Sequence, residues 1–289
     1  MPLLSRPVQR ALALVVATTL LGTAYSVLAS TWLDTSNPLI ANLPHPHHKA
    51  SFFASKRNVF NTLFVKRAWA WTSLLVAANT LVNPRRAPQR IWRWALATAA
   101  WLAFASWFFG PSLRARAAAL SGAECVVQLP YTPTGGDVGA HVLTVPAEYC
   151  VQRRPITTAE HAHLFQQAIG VASIPESWRG IPRLTRGHDV SGHVFLLSLS
   201  ILTLVDDVAT GAPFDALASR TQLAGGVATA ALVALWYWML LMTSVYFHSP
   251  LEKISGLVVG ITAYLFTKIP MPTLTAPVEG AVSLEKKQQ

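Results

Sequence analysis

The chain has 289 residues, of which 52% are hydrophobic and only 12% charged, against about 25% charged in an ordinary soluble domain. So little charge leaves apolar surface uncovered in water, which argues against a soluble globular protein and makes lipid the expected solvent. The net charge of +10 fits basic loops lying against anionic head groups. No basic–aromatic nucleic-acid motif interleaves with it, so nucleic acid is not an expected partner.

A membrane-spanning helix needs about 20 mainly apolar residues. Six segments are candidates in chain order, the fourth of them short: 11–29, 63–82, 91–109, 193–205, 223–247 and 251–269. The first follows Arg6 and Arg10. It also reads as a signal peptide, with Val27 and Ala29 as small cleavage-site residues. Its apolar stretch exceeds the roughly 7–15 residues typical of such peptides, which favours a retained span. The fourth stops early, before Asp206 and Asp207, and the sixth stops at Pro270 and Pro272. The fold class expected is therefore an all-α membrane protein with six transmembrane helices.

Orientation follows the bias of Lys and Arg toward the cytosol. The turn "NPRRAPQRIWR" carries Arg85, Arg86, Arg90 and Arg93 and is placed in the cytosol. Both termini then lie there too, and residues 110–190 between the third and fourth spans form a long luminal loop. Lys49, Lys56, Arg57, Lys66 and Arg67 fall on the luminal side against the rule; Lys66 and Arg67 are read as snorkelling to the interface. The cytosolic tail, 273–289, ends "LEKKQQ". Lys286 and Lys287 fit a dilysine retrieval signal, read by the COPI coat, that returns proteins to the endoplasmic reticulum. An ordinary solvated tail is the plainer alternative.

The luminal loop holds both cysteines, Cys125 and Cys150. They are either a disulfide, which the oxidising lumen permits, or two free thiols. "YTPTGGD" reads as a turn, and "TTAEHAHLFQQAIG" as a short surface helix. His161 and His163, two apart, do not share a helical face and are read as surface residues. His45, His47 and His48 form a proline-broken cluster without an evident companion ligand. No metal and no cofactor is expected.

Chemistry concentrates at two helix starts. In "HDVSGHVFLLS", Ser191 is a good N-cap for a helix entering the membrane at Gly192–His193. In "YFHSPLEKISG", Ser249, Pro250 and Glu252 make a capping box with proline at the first helical position, directly after His248. The topology puts both histidines on the luminal side. A helix N-terminus offers unpaired N–H donors and partial positive charge, so two together can cradle a phosphate. One histidine can then attack phosphorus while the other protonates the leaving oxygen. Ser191, Gly192 and Lys253 are candidate substrate-binding groups. Glu252 either orients His248 or only closes the capping box. Asp189 and His188 either shape the site or extend the cap. Gly256 and Gly260 form a GxxxG pair suited to close packing.

Four blocks, "SFFASKRNVFNTLFVKRAWAWTS" (Ser51–Ser73), "FFGPSL" (Phe108–Leu113), "GHDVSGHVFLLS" (Gly187–Ser198) and "YFHSPLEKISG" (Tyr246–Gly256), resemble the fat storage-inducing transmembrane proteins of the endoplasmic reticulum. The resemblance implies six spans with cytosolic termini, and distant kinship with lipid phosphate phosphatases. Val190 stands where those enzymes carry proline before Ser-Gly-His, and Glu252 where they carry aspartate four residues after the nucleophile. Their Lys-x6-Arg-Pro motif is missing, as is their Ser-Arg, where Leu241-Met242 stand. Lys253, or luminal arginines such as Arg183 and Arg186, must then hold phosphate. What the resemblance implies is a fatty acyl-coenzyme A diphosphatase facing the lumen, with His248 as nucleophile and His193 as general acid. It yields acyl 4′-phosphopantetheine and adenosine 3′,5′-bisphosphate and supports lipid droplet formation. The rival reading is a non-catalytic binder of diacylglycerol or triacylglycerol that promotes droplet budding. Apolar spans alone would suffice for that, leaving the paired histidines unexplained.

Overall fold

The computed structural model describes residues 4–33, 45–106, 112–129, 142–152, 154–165, 174–175, 177–185, 187–210 and 220–272. Six long helices lie where the six apolar segments were expected: α1 (Arg6–Leu28), α2 (Ala68–Val82), α3 (Ala87–Ala105), and then, after a mixed segment, α7 (Gly192–Thr210), α8 (Arg220–Tyr246) and α9 (Pro250–Phe266). Of these, α1, α7 and α8 are long and apolar enough to cross a membrane. The regular part of α2 is only 15 residues because Phe60–Arg67 winds as π and 3₁₀ turns instead. The other two fall short for different reasons: α3 opens on Arg90 and Arg93, while α9 has 17 residues and carries Glu252 and Lys253 in its first turn.

Helix α7 is the axis of the bundle. One face, Val194, Leu197, Ile201 and Leu204, packs with Val15 of α1, Val76 of α2 and Trp236 and Leu240 of α8. The face beside it, Phe195, Leu199 and Leu202, packs with Ala97 and Phe104 of α3 and with Ala263 and Tyr264 of α9. A helix apolar on every side is buried on every side. The outer helices behave in the opposite way: Leu14, Leu21 and Leu28 of α1, Leu223 and Val227 of α8, and Leu251 and Val258 of α9 are all exposed. Such a surface suits lipid.

Two expectations need correction. The fourth span does not stop at Val205 but runs to Thr210. Asp206 and Asp207 stay helical and buried because charge reaches them from other helices. Arg93 and Lys268 each meet Asp206 at 2.7 Å, Arg90 meets Asp207 at 3.1 Å, and Asn79 donates to Asp207 at 2.9 Å. The chain is also not all-α. Within 110–190, α4 (Leu113–Leu120) is followed by β1 (Glu124–Gln128), β2 (Val142–Thr144), α5 (Ala147–Gln152), β3 (Ile156–Thr157), α6 (Ala162–Phe165), β4 (Arg179–Gly180) and β5 (Arg183–Thr185). β1 pairs antiparallel with β2 (Val126 opposite Thr144) and with β5 (Glu124 opposite Thr185), while β3 pairs with β4. Cys125 and Cys150 form a disulfide that ties β1 to α5. With Val127, Leu129, Val145 and Ile156 they make a small core of their own. This is a folded unit, not a loop. It leads through β5 into residues 187–191, and so stands at the end of the bundle where α7 begins. The "YTPTGGD" turn, Arg186, residues 166–173 and the tail with Lys286 and Lys287 lie outside the described residues.

Candidate active site

The site is built where the first turns of α7 and α9 cross. Ser191 accepts from the Val194 N–H at 3.4 Å and so caps α7. The Ser191 N–H in turn donates to the Glu252 carbonyl at 3.0 Å, linking the two helix starts through the backbone. That crossing needs glycine. A Cβ on Gly256 would stand 2.5 Å from the Ser191 carbonyl oxygen, and one on Gly260 would stand 2.9 Å from that of Phe195. The GxxxG pair therefore sets how closely α9 rests on α7.

Glu252 is the hub, 3% exposed. Its Oε2 accepts from the Ser249 N–H at 2.9 Å while the Ser249 hydroxyl accepts from the Glu252 N–H at 3.4 Å, which completes the capping box. The same Oε2 lies 3.4 Å from His248 Nδ1, and Oε1 accepts from the Asp189 N–H at 3.3 Å. The two roles weighed for Glu252 are thus held at once: it caps α9 and it faces the imidazole. His248 itself has φ of +62°, in the left-handed region that side chains with a Cβ rarely adopt.

Asp189 is paired with Arg114, Nη1 to Oδ1 at 2.8 Å. Arg114 comes from the first turn of α4, which Ser112 caps through the Ala115 N–H at 3.3 Å. Ser121, just after α4, accepts from the His188 N–H at 2.7 Å, and the His188 ring meets Ser255 Oγ at 2.9 Å. The folded unit is fastened in this way to the segment leading into α7. His193 lies within electrostatic range of His248, Lys66 and Arg114. Two histidines therefore stand at two helix N-termini, with Arg114 paired to the neighbouring Asp189, an arrangement suited to a phosphate group.

His193, His248, Ser191, Gly192, Asp189 and Glu252 thus belong to one locus. Lys253 does not face it: the side chain is fully buried, and its ammonium donates to Ser26 Oγ at 2.8 Å and to the Ser244 carbonyl at 2.7 Å. It fastens α9 to α1 and α8, so its expected part in holding phosphate is corrected on that ground. Arg183 sits on β5. The cations whose charge acts on His193 are Lys66, which had been read as snorkelling, and Arg114, which sequence reasoning missed. Position beside the "FFGPSL" block was the one signal for Arg114. Among the described residues no three His, Cys, Asp or Glu side chains gather as a metal-binding group.

The family model described as "FIT: Fat storage-inducing transmembrane protein" matches residues 49–223 and 212–267. The chain belongs to this family. It is 30% identical over 84% of its length to a Schizosaccharomyces pombe protein named acyl-coenzyme A diphosphatase fit1, covering 77% of that protein. It is 28% identical over 84% of its length to acyl-coenzyme A diphosphatase FITM2 of Sus scrofa, covering 78% of it. It is also 26% identical over 75% of its length to fat storage-inducing transmembrane protein 1 of Homo sapiens, covering 64% of it. No solved structure matches.

Proposed function

We propose that this chain is a fatty acyl-coenzyme A diphosphatase that works through a phosphohistidine. The observation that carries the reading is that His193 and His248 stand at the crossing starts of α7 and α9, with Glu252 against His248 and Arg114 paired to Asp189 beside them. The relatives' printed names supply the substrate class. With Nδ1 of His248 turned to Glu252, Nε2 is the nitrogen that attacks one phosphorus of the substrate's diphosphate. A P–N bond forms and the anhydride P–O bond breaks. The departing phosphate oxygen takes its proton from His193. Arg114, Lys66 and the Gly192 N–H at the start of α7 stabilise the negative charge on the phosphoryl oxygens in flight. Water then attacks the phosphohistidine and His193 takes back a proton, which leaves acyl 4′-phosphopantetheine and adenosine 3′,5′-bisphosphate. Glu252 keeps the nucleophilic imidazole in the tautomer with its proton on Nδ1.

The six long helices are read as six spans with both termini in the cytosol and the site facing the lumen of the endoplasmic reticulum. Two features support this orientation. The arginine-rich turn between α2 and α3 lies at the end of the bundle away from the histidines, as the positive-inside rule asks. The Cys125–Cys150 disulfide is on the histidine end, which suits an oxidising compartment. Retrieval by the COPI coat through Lys286 and Lys287 completes the localisation. The acyl chain of the substrate lies in the adjoining bilayer.

One observation favours the lipid-binding reading alongside. A nearly apolar groove of about 710 Å³ opens between the starts of α1 and α8 and the end of α7, lined by Pro7, Val205, Val208, Val227, Ala230 and Tyr237. It is at the end away from the histidines and suits the tails of diacylglycerol or triacylglycerol. The deciding experiment is hydrolysis of oleoyl-coenzyme A by the purified protein beside His248→Ala. Wild-type turnover with none from the folded variant is the expected result. Equal turnover sinks the enzymatic assignment, and no turnover from either leaves the lipid binder as the better reading.

A further inference from the structure

The last four carbonyls of an α-helix have no partner inside it. In α8 the Thr243 carbonyl takes the closing i→i−4 bond, and the three carbonyls after it are met from outside. The Phe247 N–H reaches Thr243 at 3.1 Å, and Lys253 Nζ reaches Ser244 at 2.7 Å. The Thr31 hydroxyl reaches Val245 at 2.8 Å. The Tyr246 carbonyl, the last before the chain turns, takes two donors: the Leu33 N–H at 3.2 Å and His45 Nε2 at 2.9 Å. His45 is 2% exposed. Its Nδ1 accepts from the His47 N–H at 3.0 Å, so its ring proton sits on Nε2 and is given to Tyr246. The ring also stands edge-on to Tyr246 and Phe247, with centroids 5.7 and 5.8 Å away. Leu33 is bridged to Phe247. A strap from the segment after α1 and the turn at His45 thus grips the two residues that precede His248.

His248 is the next residue and takes the left-handed conformation. A non-glycine residue stays there only where its surroundings over-determine it. Glu252 holds the side chain from one direction. The backbone must be held from the other, and the Tyr246 carbonyl is where that hold is applied. Both ring nitrogens of His45 are committed to main chain, so the histidine cluster at 45–48 is not arranged to present this ring to a metal.

We propose that His45 is a positioning residue for His248: through the Tyr246 carbonyl it fixes the end of α8 from which His248 turns, and so sets where the nucleophilic imidazole points. The inference rests on the reading of His248 as nucleophile. It assigns a role to a residue that precedes the span matched by the family model, which begins at residue 49.

Two substitutions separate the two bonds. His45→Gln places an amide N–H where Nε2 lies and keeps the donor to Tyr246. His45→Asn places an amide oxygen where Nδ1 lies and keeps only the bond from His47. The full chain is assayed in nanodiscs for kcat and KM on oleoyl-coenzyme A, with thermal unfolding of the same samples. Since a misplacement of about 1 Å costs on the order of 100-fold, His45→Asn and His45→Ala should lower kcat by roughly 30- to 100-fold with KM nearly unchanged, and His45→Gln should recover most of it. A residue that only fills space would show Gln and Asn behaving alike, with activity following the folded fraction, and that outcome overturns the proposal. Should Asn and Ala give no folded protein, Leu33→Pro removes the other donor to the same carbonyl. It is expected to lower kcat at constant KM, and an unchanged kcat is again decisive against the idea. His248→Ala runs alongside. If it retains turnover, the nucleophile reading has failed. If it is dead while His45→Asn is normal, only the positioning role has failed.

Discussion

Gly256→Ala tests whether the crossing of α7 and α9 sets the geometry of the chemistry. The added Cβ would stand 2.5 Å from the Ser191 carbonyl oxygen, with Ser191 Cβ 3.2 Å away. A carbon–oxygen contact settles at about 3.3 Å or more, so the two backbones must separate by roughly 0.8 Å. The obstacle is main chain and cannot swing aside. Overpacking of this kind costs about 1–3 kcal/mol of stability. The functional cost should be larger, because the same shift pulls the Ser191–Gly192–His193 turn away from Glu252 and His248. A displacement near 1 Å lowers turnover by about 100-fold. Gly260→Ala is the control. Its Cβ would meet the Phe195 carbonyl at 2.9 Å and Ser198 Cβ at 3.0 Å, one turn deeper in the bundle. It should cost comparable stability and much less activity. The assay is kcat on oleoyl-coenzyme A for both variants in nanodiscs, with unfolding followed in parallel. If Gly256→Ala keeps kcat within about threefold of wild type, or if both variants lose activity only as they lose stability, the crossing does not set the site.

Arg114→Gln should raise KM and lower kcat/KM by about 10- to 100-fold, since a charge-assisted bond contributes roughly 1.5–3 kcal/mol; an unchanged kcat/KM removes Arg114 from the phosphate cradle. Glu252→Gln preserves the capping box but not the charge facing His248, so kcat should drop about 10-fold or more while the unfolding temperature moves little; a parallel loss of both would reduce Glu252 to a cap. Burial pushes the His45 imidazole pKa down, and the nearby His47 and Lys56 push it the same way. The folded state therefore resists a proton that the unfolded chain accepts near pH 6.5. The stability contributed is present above that pH and is lost as pH falls through it toward the lowered folded value. The unfolding temperature of wild type should fall between about pH 7 and 5, and less steeply in His45→Gln; equal slopes would show that another group governs the acid limb.

Helix positions were legible because they rest on runs of apolar residues, and the start of α9 was legible because Ser249, Pro250 and Glu252 are a local signal. What failed was long-range. Asp206 and Asp207 look like a span terminus when the arginines that neutralise them are 113 and 117 residues away and Lys268 lies beyond two further helices. The strands β1 to β5 are two to five residues long, and β1 pairs with a strand some sixty residues further on. Nothing in so short a run of residues separates a strand from a loop. The cysteines were left open for the same reason, since their meeting depends on where β1 and α5 come to lie.

The site divides along the same line, and Glu252 with Lys253 show it most directly. Both stand in the first turn of α9, where Lys253 was expected to hold phosphate and Glu252 to orient His248 or close the capping box. Successive helical residues point about 100° apart, so they cannot serve one face. Gly256, one turn after Glu252, is the residue that rests on Ser191, so the face carrying Glu252 is the face turned to α7. Lys253 is thereby rotated toward α1 and α8, where Ser26 and the Ser244 carbonyl receive it. The spacing from Glu252 to Gly256 carries this assignment in the sequence, because the glycine pair marks the face on which α9 meets α7. Arg114 was not recoverable in that way. Its place beside Asp189 depends on how α4 folds back over residues 187–189, and it supplies a cation that neither of the two helix starts encodes.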